Sequence, residues 1–176
     1  MAPRLVLVGG APGSGKTTLA VALAKRLGIA LLTKDDIKES LAEVLGAGDR
    51  VRSRELGAAA YEVMRAVAAR ILASGADVLL EANFHRERST PWLRELARSA
   101  ETHVVICRAP EALCRQRFAA RGAAGLRHPV HLDREILEHE WPDPAEFDLD
   151  LGVPTLAVDT TDGYSPDLEA ITRFVA

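Results

Sequence analysis

Eight consecutive residues near the start of the chain form a pattern suited to binding phosphate groups. They read G-x-x-x-x-G-K-T and comprise Gly10, Ala11, Pro12, Gly13, Ser14, Gly15, Lys16 and Thr17. The glycines let backbone N–H groups turn towards phosphate oxygens, and a helix that begins at Lys16 adds its partial positive charge. Lys16 is expected to contact the β and γ phosphates, and the Thr17 hydroxyl to bind Mg²⁺. With the adjoining Thr18, the motif predicts a site for a nucleoside triphosphate, with ATP expected and GTP left open.

Two adjacent carboxylates, Asp35 and Asp36, follow the second apolar segment of the chain. In open α/β sheets, ligands bind at the carboxyl ends of the strands. A carboxylate at that edge, beside the γ phosphate, can accept a proton from an attacking hydroxyl. We expect one of the pair to cap the helix that follows and the other, Asp35, to act as the general base.

Alternating apolar and amphipathic segments supply the elements that must position these residues. Strands are predicted over 4–8, 29–33, 77–81, 102–107 and 155–159. Helices are predicted over 16–27, after Asp35 to about residue 45, and over 53–73, 86–100, 110–121, 133–140 and 166–175. Strands that alternate with crossover helices predict an α/β fold with a five-stranded, mostly parallel sheet covered by helices on both faces.

Three stretches together carry a resemblance to a known family. They read G-A-P-G-S-G-K-T, T-K-D-D-I-K-E-S and L-E-A-N-F-H-R-E-R. In them the chain resembles the small P-loop kinases, a group that includes the kinase part of phage polynucleotide kinase, zeta toxins, gluconate kinase and chloramphenicol phosphotransferase. The resemblance spans most of residues 4–130. It implies a P-loop NTPase fold, a single kinase domain over 1–176, and a short arginine-bearing lid at about 117–132.

The resemblance also implies roles for residues around the phosphate site. Asp35 matches the general base of the family, and Lys38 lies beside it on the acceptor side. Glu81 ends the third strand where the family has an acidic residue near Mg²⁺. The phage enzyme has Asp there, so the contact of Glu81 with Mg²⁺ is either direct or through water.

A loop after the third strand and a helix before the lid carry further candidates. Asn83, Arg86 and Arg88 match the acceptor-facing loop of the family, although a solvated helix start is the alternative for Arg88. Arg117 and Arg121 stand four residues apart on one helix face and resemble the lid arginines that neutralise charge on the transferred group. Arg127, within the lid loop, is expected to do the same. An exposed basic helix is the alternative explanation.

His128 and His131 in the lid loop do not predict zinc, because no third ligand has a suitable spacing. We expect them to form hydrogen bonds in the lid or to be exposed. Residues 159–161, at the end of the fifth strand, match the place where these kinases pass the adenine base through backbone contacts.

Composition restricts the cellular setting and the partners. The net charge is −3, which differs from the strongly basic composition of dedicated nucleic-acid binders. No apolar run approaches the ~18 residues of a membrane span. Cys107 and Cys114 cannot form a disulfide framework, so a reducing cytoplasm is expected. The sequence leaves the oligomeric state open.

The acceptor is the least determined part of the prediction. Tyr61 and Met64 lie on the long helix of the region that would wall the acceptor pocket. The basic residues Arg50, Arg52 and Arg54 in this region suit an anionic acceptor such as a 5′-hydroxyl oligonucleotide. The acidic stretch from Glu135 to Asp150 instead suits a cationic acceptor such as an amino sugar or an aminoglycoside. Few aromatic residues are present to stack bases. A small sugar, alcohol or antibiotic is therefore our first expectation and a nucleic-acid end our second.

A regulatory P-loop NTPase, or a toxin kinase of the zeta type, is the remaining alternative. A regulatory NTPase would hydrolyse its nucleotide on behalf of a partner rather than phosphorylate a metabolite. The Asp35–Asp36 pair and the Arg117–Arg121 pair instead favour a self-contained kinase with a lid.

Overall fold

Five parallel strands form one sheet in the computed structural model, which describes residues 2–125, 128–139 and 141–176. The strands are β1 (Arg4–Gly10), β2 (Ala30–Thr33), β3 (Val78–Glu81), β4 (Glu101–Arg108) and β5 (Thr155–Asp159). Their order in the sheet is β2-β3-β1-β4-β5, and every pairing is parallel. The predicted α/β fold with helices on both faces is confirmed.

Seven α-helices connect or flank these strands within the described residues. They are α1 (Lys16–Leu27), α2 (Lys34–Leu45), α3 (Arg50–Ala73), α4 (Arg86–Ala97), α5 (Glu111–Ala123), α6 (Asp133–His139) and α7 (Leu168–Val175). Short 3₁₀ turns occupy Pro129–His131 and Pro144–Phe147. No helix among the described residues combines the length and the apolar character needed to cross a membrane.

The central strand β1 is buried on both sides because its side chains alternate between two hydrophobic clusters. Leu5 and Leu7 pack in one cluster with Met64 of α3, whereas Val6 and Val8 pack in the other with residues of α1 and α7. An uninterrupted apolar run is the sequence signature of such a doubly covered strand. The sheet is therefore held at its centre, and its carboxyl edge gives the site a rigid base.

The start of α2 differs from the prediction. The Thr33 side chain caps this helix by accepting a hydrogen bond of 3.2 Å from the backbone N–H of Asp36. The expectation that Asp35 or Asp36 is the cap is wrong, because the helix begins at Lys34, before either carboxylate. Both carboxylates instead lie in the first turn, where negative charge favours the helix dipole.

The start of α3 also differs. This helix begins at Arg50 rather than at residue 53. The Asp49 side chain caps it by accepting a hydrogen bond of 3.0 Å from the backbone N–H of Arg52. The extra turn adds basic residues to the helix end that approaches the lid.

The register of the sheet aligns the carboxyl ends of three neighbouring strands. Thr33 of β2 pairs with Glu81 of β3, and Glu81 pairs with Val8 of β1. Because the phosphate-binding loop leaves β1 two residues later, Glu81 and the start of α2 lie beside it. Parallel pairing thus brings together segments that are far apart in the chain.

Candidate active site

The loop between β1 and α1 has a backbone that only glycine permits at two positions. Gly13 has a φ of +76°, and a Cβ atom there would lie 2.1 Å from the carbonyl oxygen of Cys114 in α5. Gly10 has a φ of +140°, and its Cβ would lie 2.5 Å from the carbonyl oxygen of Cys107. Side chains are excluded at both positions by this close packing as well as by the backbone conformation. The loop is therefore held against β4 and α5.

The N-terminus of α1 has no side-chain cap; Gly15 occupies the cap position in the left-handed conformation. The first N–H groups of a helix lack partners within the helix, and together with its dipole they suit a phosphate. This arrangement is the one predicted from the glycine-rich motif.

Lys16 is buried behind the loop, where its Nζ donates a hydrogen bond of 3.3 Å to the carbonyl oxygen of Ala11. Burial lowers the pKa of the Lys16 ammonium, and the nearby Glu81 and Asp35 carboxylates oppose part of that shift. The Arg121 guanidinium acts on the same group and lowers its pKa further. Lys16, Asp35, Glu81 and Arg121 are thus close enough to interact electrostatically.

Glu81 is buried, and its carboxylate is hydrogen-bonded to the Thr17 side chain. Burial raises the pKa of Glu81, while the positive charge of Lys16 opposes the shift. A hydroxyl and a carboxylate are oxygen donors of the kind that Mg²⁺ takes from proteins, alongside phosphate oxygens. No group of three His, Cys, Asp or Glu side chains suited to a metal occurs among the described residues. The pair Thr17–Glu81 therefore fits a cation that takes most of its ligands from a nucleotide and from water.

Asp35 lies at the first turn of α2 between two cationic or protonatable groups. Lys34 Nζ lies 3.1 Å from its Oδ1 atom, and Nδ1 of His131 lies 3.9 Å from the same oxygen. His131 is buried, and its Nε2 atom lies 2.7 Å from Oε1 of Glu39. The predicted base is therefore faced by a residue near the end of the predicted lid.

A small cavity of about 120 Å³ brings together predicted site residues from several parts of the chain. Asp35 lines it together with side chains from the phosphate loop, α2, the loop after β3 and the lid. These include Lys16, Thr17, Lys38, Asn83, Arg121 and His131. This space, the phosphate cavity, is thus shared by the predicted phosphate-binding residues and the predicted general base.

A second and larger cavity, of about 760 Å³, adjoins the first. Lys34, Lys38, His131 and Ile136 line both cavities. The larger one extends between α3 and α4, where Tyr61 and Trp92 form its apolar part. Arg88 lines it, whereas Arg86 is exposed and lines neither cavity.

Two residues that were predicted to bind the phosphoryl acceptor form hydrogen bonds within the protein. Asn83 Nδ2 donates a hydrogen bond of 2.8 Å to the carbonyl oxygen of Gly10, which ties the loop after β3 to the phosphate loop. Lys38 is buried, and its Nζ donates to Ser53 Oγ at 2.8 Å and to the carbonyl oxygen of Val130 at 3.1 Å. Both side chains also line the phosphate cavity, so they shape the site as well as border it.

The structure separates the two helix arginines that were predicted to act together. Arg121 lines the phosphate cavity. Arg117 instead donates hydrogen bonds through Nη2 to the carbonyl oxygens of Thr160 and Thr161, at 2.9 and 3.0 Å. The loop after β5 is thereby fastened to α5. Arg127 lies outside the described residues.

The lid histidines form the hydrogen bonds expected of them. Nε2 of His128 lies 3.0 Å from Oε1 of Glu43, and its Nδ1 accepts from the backbone N–H of Val130. His131 bonds Glu39 as described above. Both histidines therefore connect the lid to α2.

Sequence reasoning missed Lys34 and Trp92 as residues of the site. Lys34 immediately precedes Asp35 and borders both cavities. Trp92 follows Arg88 by four residues on α4, so the two lie on one helix face. The spacing of four residues could have indicated that Arg88 and Trp92 share a helix face. The sequence could not show that this face lines the cavity beside α3, because that depends on how the helices pack.

Comparisons with known proteins agree with this geometry. A family model described as an AAA domain matches residues 5–140. The structure of a candidate kinase from Chloroflexus aurantiacus is 36% identical, covers 99% of this chain and 97% of its own, and superposes with a TM-score of 0.84.

Two further solved structures share the fold at lower identity. A gluconokinase from Sinorhizobium meliloti is 21% identical, covers 99% of this chain and 89% of its own, and has a TM-score of 0.55. The APS kinase CysC of Mycobacterium tuberculosis, solved with AMPPNP and APS, is 19% identical, covers 98% and 97%, and has a TM-score of 0.63.

The chain spans about a quarter of the length of the curated relatives it matches. Uncharacterised proteins of Mycobacterium tuberculosis and Mycobacterium bovis are 33% identical over 131 residues, which cover 67% of this chain and 26% of theirs. The family match extends over most of the chain, and the resemblance inferred from the phosphate loop and the motifs after it is confirmed. The chain belongs to the AAA-domain family and, with its P-loop and kinase neighbours, to the small P-loop kinases.

Proposed function

We propose that the chain is an ATP-dependent phosphotransferase that moves the γ-phosphoryl group onto a hydroxyl of a small molecule. One observation supports the proposal most directly: the cavity lined by Lys16, Asp35 and Arg121 shares lining residues with a second, larger cavity. The shared residues are Lys34, Lys38, His131 and Ile136. A nucleotide phosphate on the loop and an acceptor in the larger cavity would meet at Asp35. A volume of about 760 Å³ falls in the range of small-molecule sites.

The reaction follows from this arrangement. The acceptor hydroxyl attacks the γ phosphorus in line with the oxygen that bridges the β and γ phosphates. A new O–P bond forms, the bridging O–P bond breaks, and ADP leaves. Asp35 accepts the proton of the hydroxyl. Lys16 and Arg121 stabilise the negative charge on the transferred group and on the leaving phosphate.

The remaining assignments belong to the same proposal. Thr17 and Glu81 would hold Mg²⁺, which neutralises charge on the phosphate oxygens when bound. Residues 117–132 would form the lid, with Arg127 adding to the charge stabilisation. Since Cys107 and Cys114 are both buried free thiols, we expect the protein to work in a reducing compartment, the cytoplasm.

Measurement of ATP consumption with Mg²⁺ across a panel of hydroxyl acceptors tests the proposal. The panel contains sugars, polyols, nucleosides, aminoglycosides and a 5′-hydroxyl oligonucleotide, and the product is identified by its mass. A phosphorylated small molecule supports the proposal, and phosphorylation of the oligonucleotide alone would identify a polynucleotide kinase. Steady hydrolysis that no acceptor stimulates would indicate a regulatory NTPase.

The Lys16→Ala variant tests whether this activity depends on the phosphate site. We expect it to lower transfer by roughly a hundredfold or more, because it removes a charge that contacts the transferred group. Lys25→Ala, in the exposed last turn of the same helix, should leave transfer unchanged. Full turnover by the Lys16 variant, with the fold intact by circular dichroism, would contradict the assignment of the phosphate site.

A further inference from the structure

The larger cavity is strongly biased towards positive charge. Among the described residues that line it, six are Lys or Arg and one, Glu62, is a carboxylate. The six are Lys34, Lys38, Arg50, Arg54, Arg65 and Arg88. An enclosed space lined by one sign of charge concentrates ligands of the opposite sign. We propose that the phosphoryl acceptor is itself anionic, a small hydroxylated molecule with a phosphate, sulfate or carboxylate group that binds between Arg54 and Arg88. This inference rests on the proposed function, because it assigns the acceptor to this cavity.

Several of the six cations already have specific partners. Lys34 is paired with Asp35, and Arg65 with Glu62. Arg50 Nη1 lies 3.0 Å from Oε2 of Glu135. These pairs reduce the positive charge of the cavity near the base and near the lid. The excess of positive charge therefore lies on the wall formed by α4.

Arg88 is the cation on that wall. It is exposed and forms no hydrogen bond or ion pair with another described residue, while its charge still acts on the Tyr61 hydroxyl and counters the rise that burial causes in the pKa of that group. Arg54 lines the same cavity from α3. A guanidinium presents a planar set of donors that matches a phosphate, sulfate or carboxylate group. Arg88 is thus suited to bind the anionic group from α4, across the cavity from Arg54.

The apolar part of the cavity gives the acceptor its other contacts. Tyr61, Phe84 and Trp92 pack against one another, with ring centroids 6.0 to 6.4 Å apart. The Tyr61 hydroxyl donates a hydrogen bond of 2.6 Å to the carbonyl oxygen of Asn83. Phe84 packs behind the other two rings, so Tyr61 and Trp92 are fixed as a wall that can cover the carbon skeleton of a small molecule. Single-strand nucleic-acid sites instead present a series of rings on which successive bases stack.

Acidic side chains of the stretch that suited a cationic acceptor form ion pairs and hydrogen bonds within the protein. Glu135 pairs with Arg50, Glu146 with His85, and Asp148 with Arg108. The Asp143 side chain accepts a hydrogen bond from the backbone N–H of Ala145 and so caps a 3₁₀ turn. None of these four carboxylates lines the larger cavity. The charge that an acceptor meets is therefore positive.

Matched pairs of acceptors test the inference. Glycerol 3-phosphate is compared with glycerol, gluconate with glucose, and adenosine 5′-monophosphate with adenosine, and kanamycin and a 5′-hydroxyl oligonucleotide are added. We expect turnover of an anionic member with a kcat/KM about tenfold or more above that of its neutral partner, as the loss of charged hydrogen bonds predicts. Equal or better turnover of a neutral acceptor or of kanamycin would overturn the inference and leave the kinase assignment intact, whereas turnover of the oligonucleotide alone would overturn both.

Charge reversal locates the anion site. Arg88→Glu should raise the KM of the active anionic acceptor by about tenfold or more, and Arg88→Lys should restore part of the loss. Arg70→Glu makes the same change of charge on an exposed part of α3 that lines neither cavity, so it should leave KM unchanged. A KM that is the same in the Arg88→Glu variant and the unaltered protein would contradict the inference.

A binding measurement decides the inference even if no acceptor in the panel is turned over. The protein is saturated with AMPPNP and Mg²⁺ to occupy the phosphate loop, and its Tm is measured in sodium sulfate and in sodium chloride of equal ionic strength. Sulfate should raise Tm by more in the unaltered protein and in Arg70→Glu than in Arg88→Glu, which keeps only the general stabilisation that sulfate gives folded proteins. An identical rise in all three overturns the inference. A sulfate effect that depends on Arg88, combined with hydrolysis that no acceptor stimulates, would support the anion site and reject the proposed transfer reaction.

Discussion

The Nδ1 atom of His131 lies 3.9 Å from the Oδ1 atom of Asp35. This approach joins a residue near the end of the lid to the proposed base on α2. The other imidazole nitrogen is 2.7 Å from Glu39, so the ring is held between two side chains one turn apart on the same helix. The preceding carbonyl group, of Val130, accepts hydrogen bonds from Lys38 and from Ser53. The lid therefore ends in a fixed position beside the base.

Removal of the imidazole should disturb catalysis more than nucleotide binding. We expect His131→Ala to lower kcat by about tenfold, because small displacements of a reacting group are costly, and to leave the Kd for ATP unchanged. His131→Gln, whose amide can still donate to Glu39, should retain more activity. His139→Ala, on the exposed end of α6, is the control. A change in ATP affinity without a change in kcat would assign His131 to the nucleotide site instead.

The Asp35→Asn variant tests the proton acceptor. Since the amide cannot take the proton of the acceptor hydroxyl, transfer should fall by roughly a hundredfold or more, while ATP binding measured by calorimetry stays nearly the same. Asp36→Asn is the matched control, because Asp36 is the exposed neighbour in the same helical turn. Similar losses in both variants, or a Tm lowered by Asp35→Asn alone, would point to a structural role for Asp35.

The phosphate loop should tolerate no side chain at Gly13. Gly13→Ala places a Cβ atom 2.1 Å from the Cys114 carbonyl oxygen, so the loop must move and ATP binding should be lost. Gly28→Ala is the comparison, because Gly28 also has a positive φ, of +68°, but has no atom within 4 Å of the added Cβ. That variant should cost about 1 kcal/mol of stability with ATP affinity retained. Normal ATP affinity in Gly13→Ala would show that the loop is less tightly packed than the structure indicates.

An ion pair at the start of the sheet should make stability depend on pH. Burial acts to raise the pKa of Asp77, but hydrogen bonds from the backbone and side chain of Arg4 outweigh it and lower the pKa overall. A carboxyl with a lowered pKa in the folded state adds stability above its ordinary pKa, and this stability is lost as pH falls through the folded value.

Asp77→Asn should therefore cost about 1 kcal/mol of unfolding free energy or less at neutral pH, since the pair is partly exposed. In urea unfolding, the difference from the unaltered protein should shrink as the pH is lowered through the acidic range. Asp167→Asn, at the exposed cap of α7, is a control without the Arg4 pair. A difference that stays constant down to acid pH would assign the cost to packing rather than to charge.

The sequence alone determined the phosphate loop and the architecture around it. The glycines and Lys16 follow a buried apolar strand and precede an amphipathic helix, and these are local patterns that a chain can adopt in few ways. Asp35 could be placed at the carboxyl edge because parallel strands all end there. These predictions needed only the period of each segment and the rule that connects successive parallel strands.

The tertiary structure decided which side chains meet. Thr33, rather than Asp35 or Asp36, caps α2, because several residues near a helix start can cap it and local geometry selects one. Arg117 turns to the loop after β5, whereas Arg121 faces the phosphate cavity, although both lie on the same helix face. Arg54 and Arg88 come to one cavity only because α3 and α4 pack on the same side of the sheet. Such contacts join residues far apart in the chain, and no local periodicity specifies them.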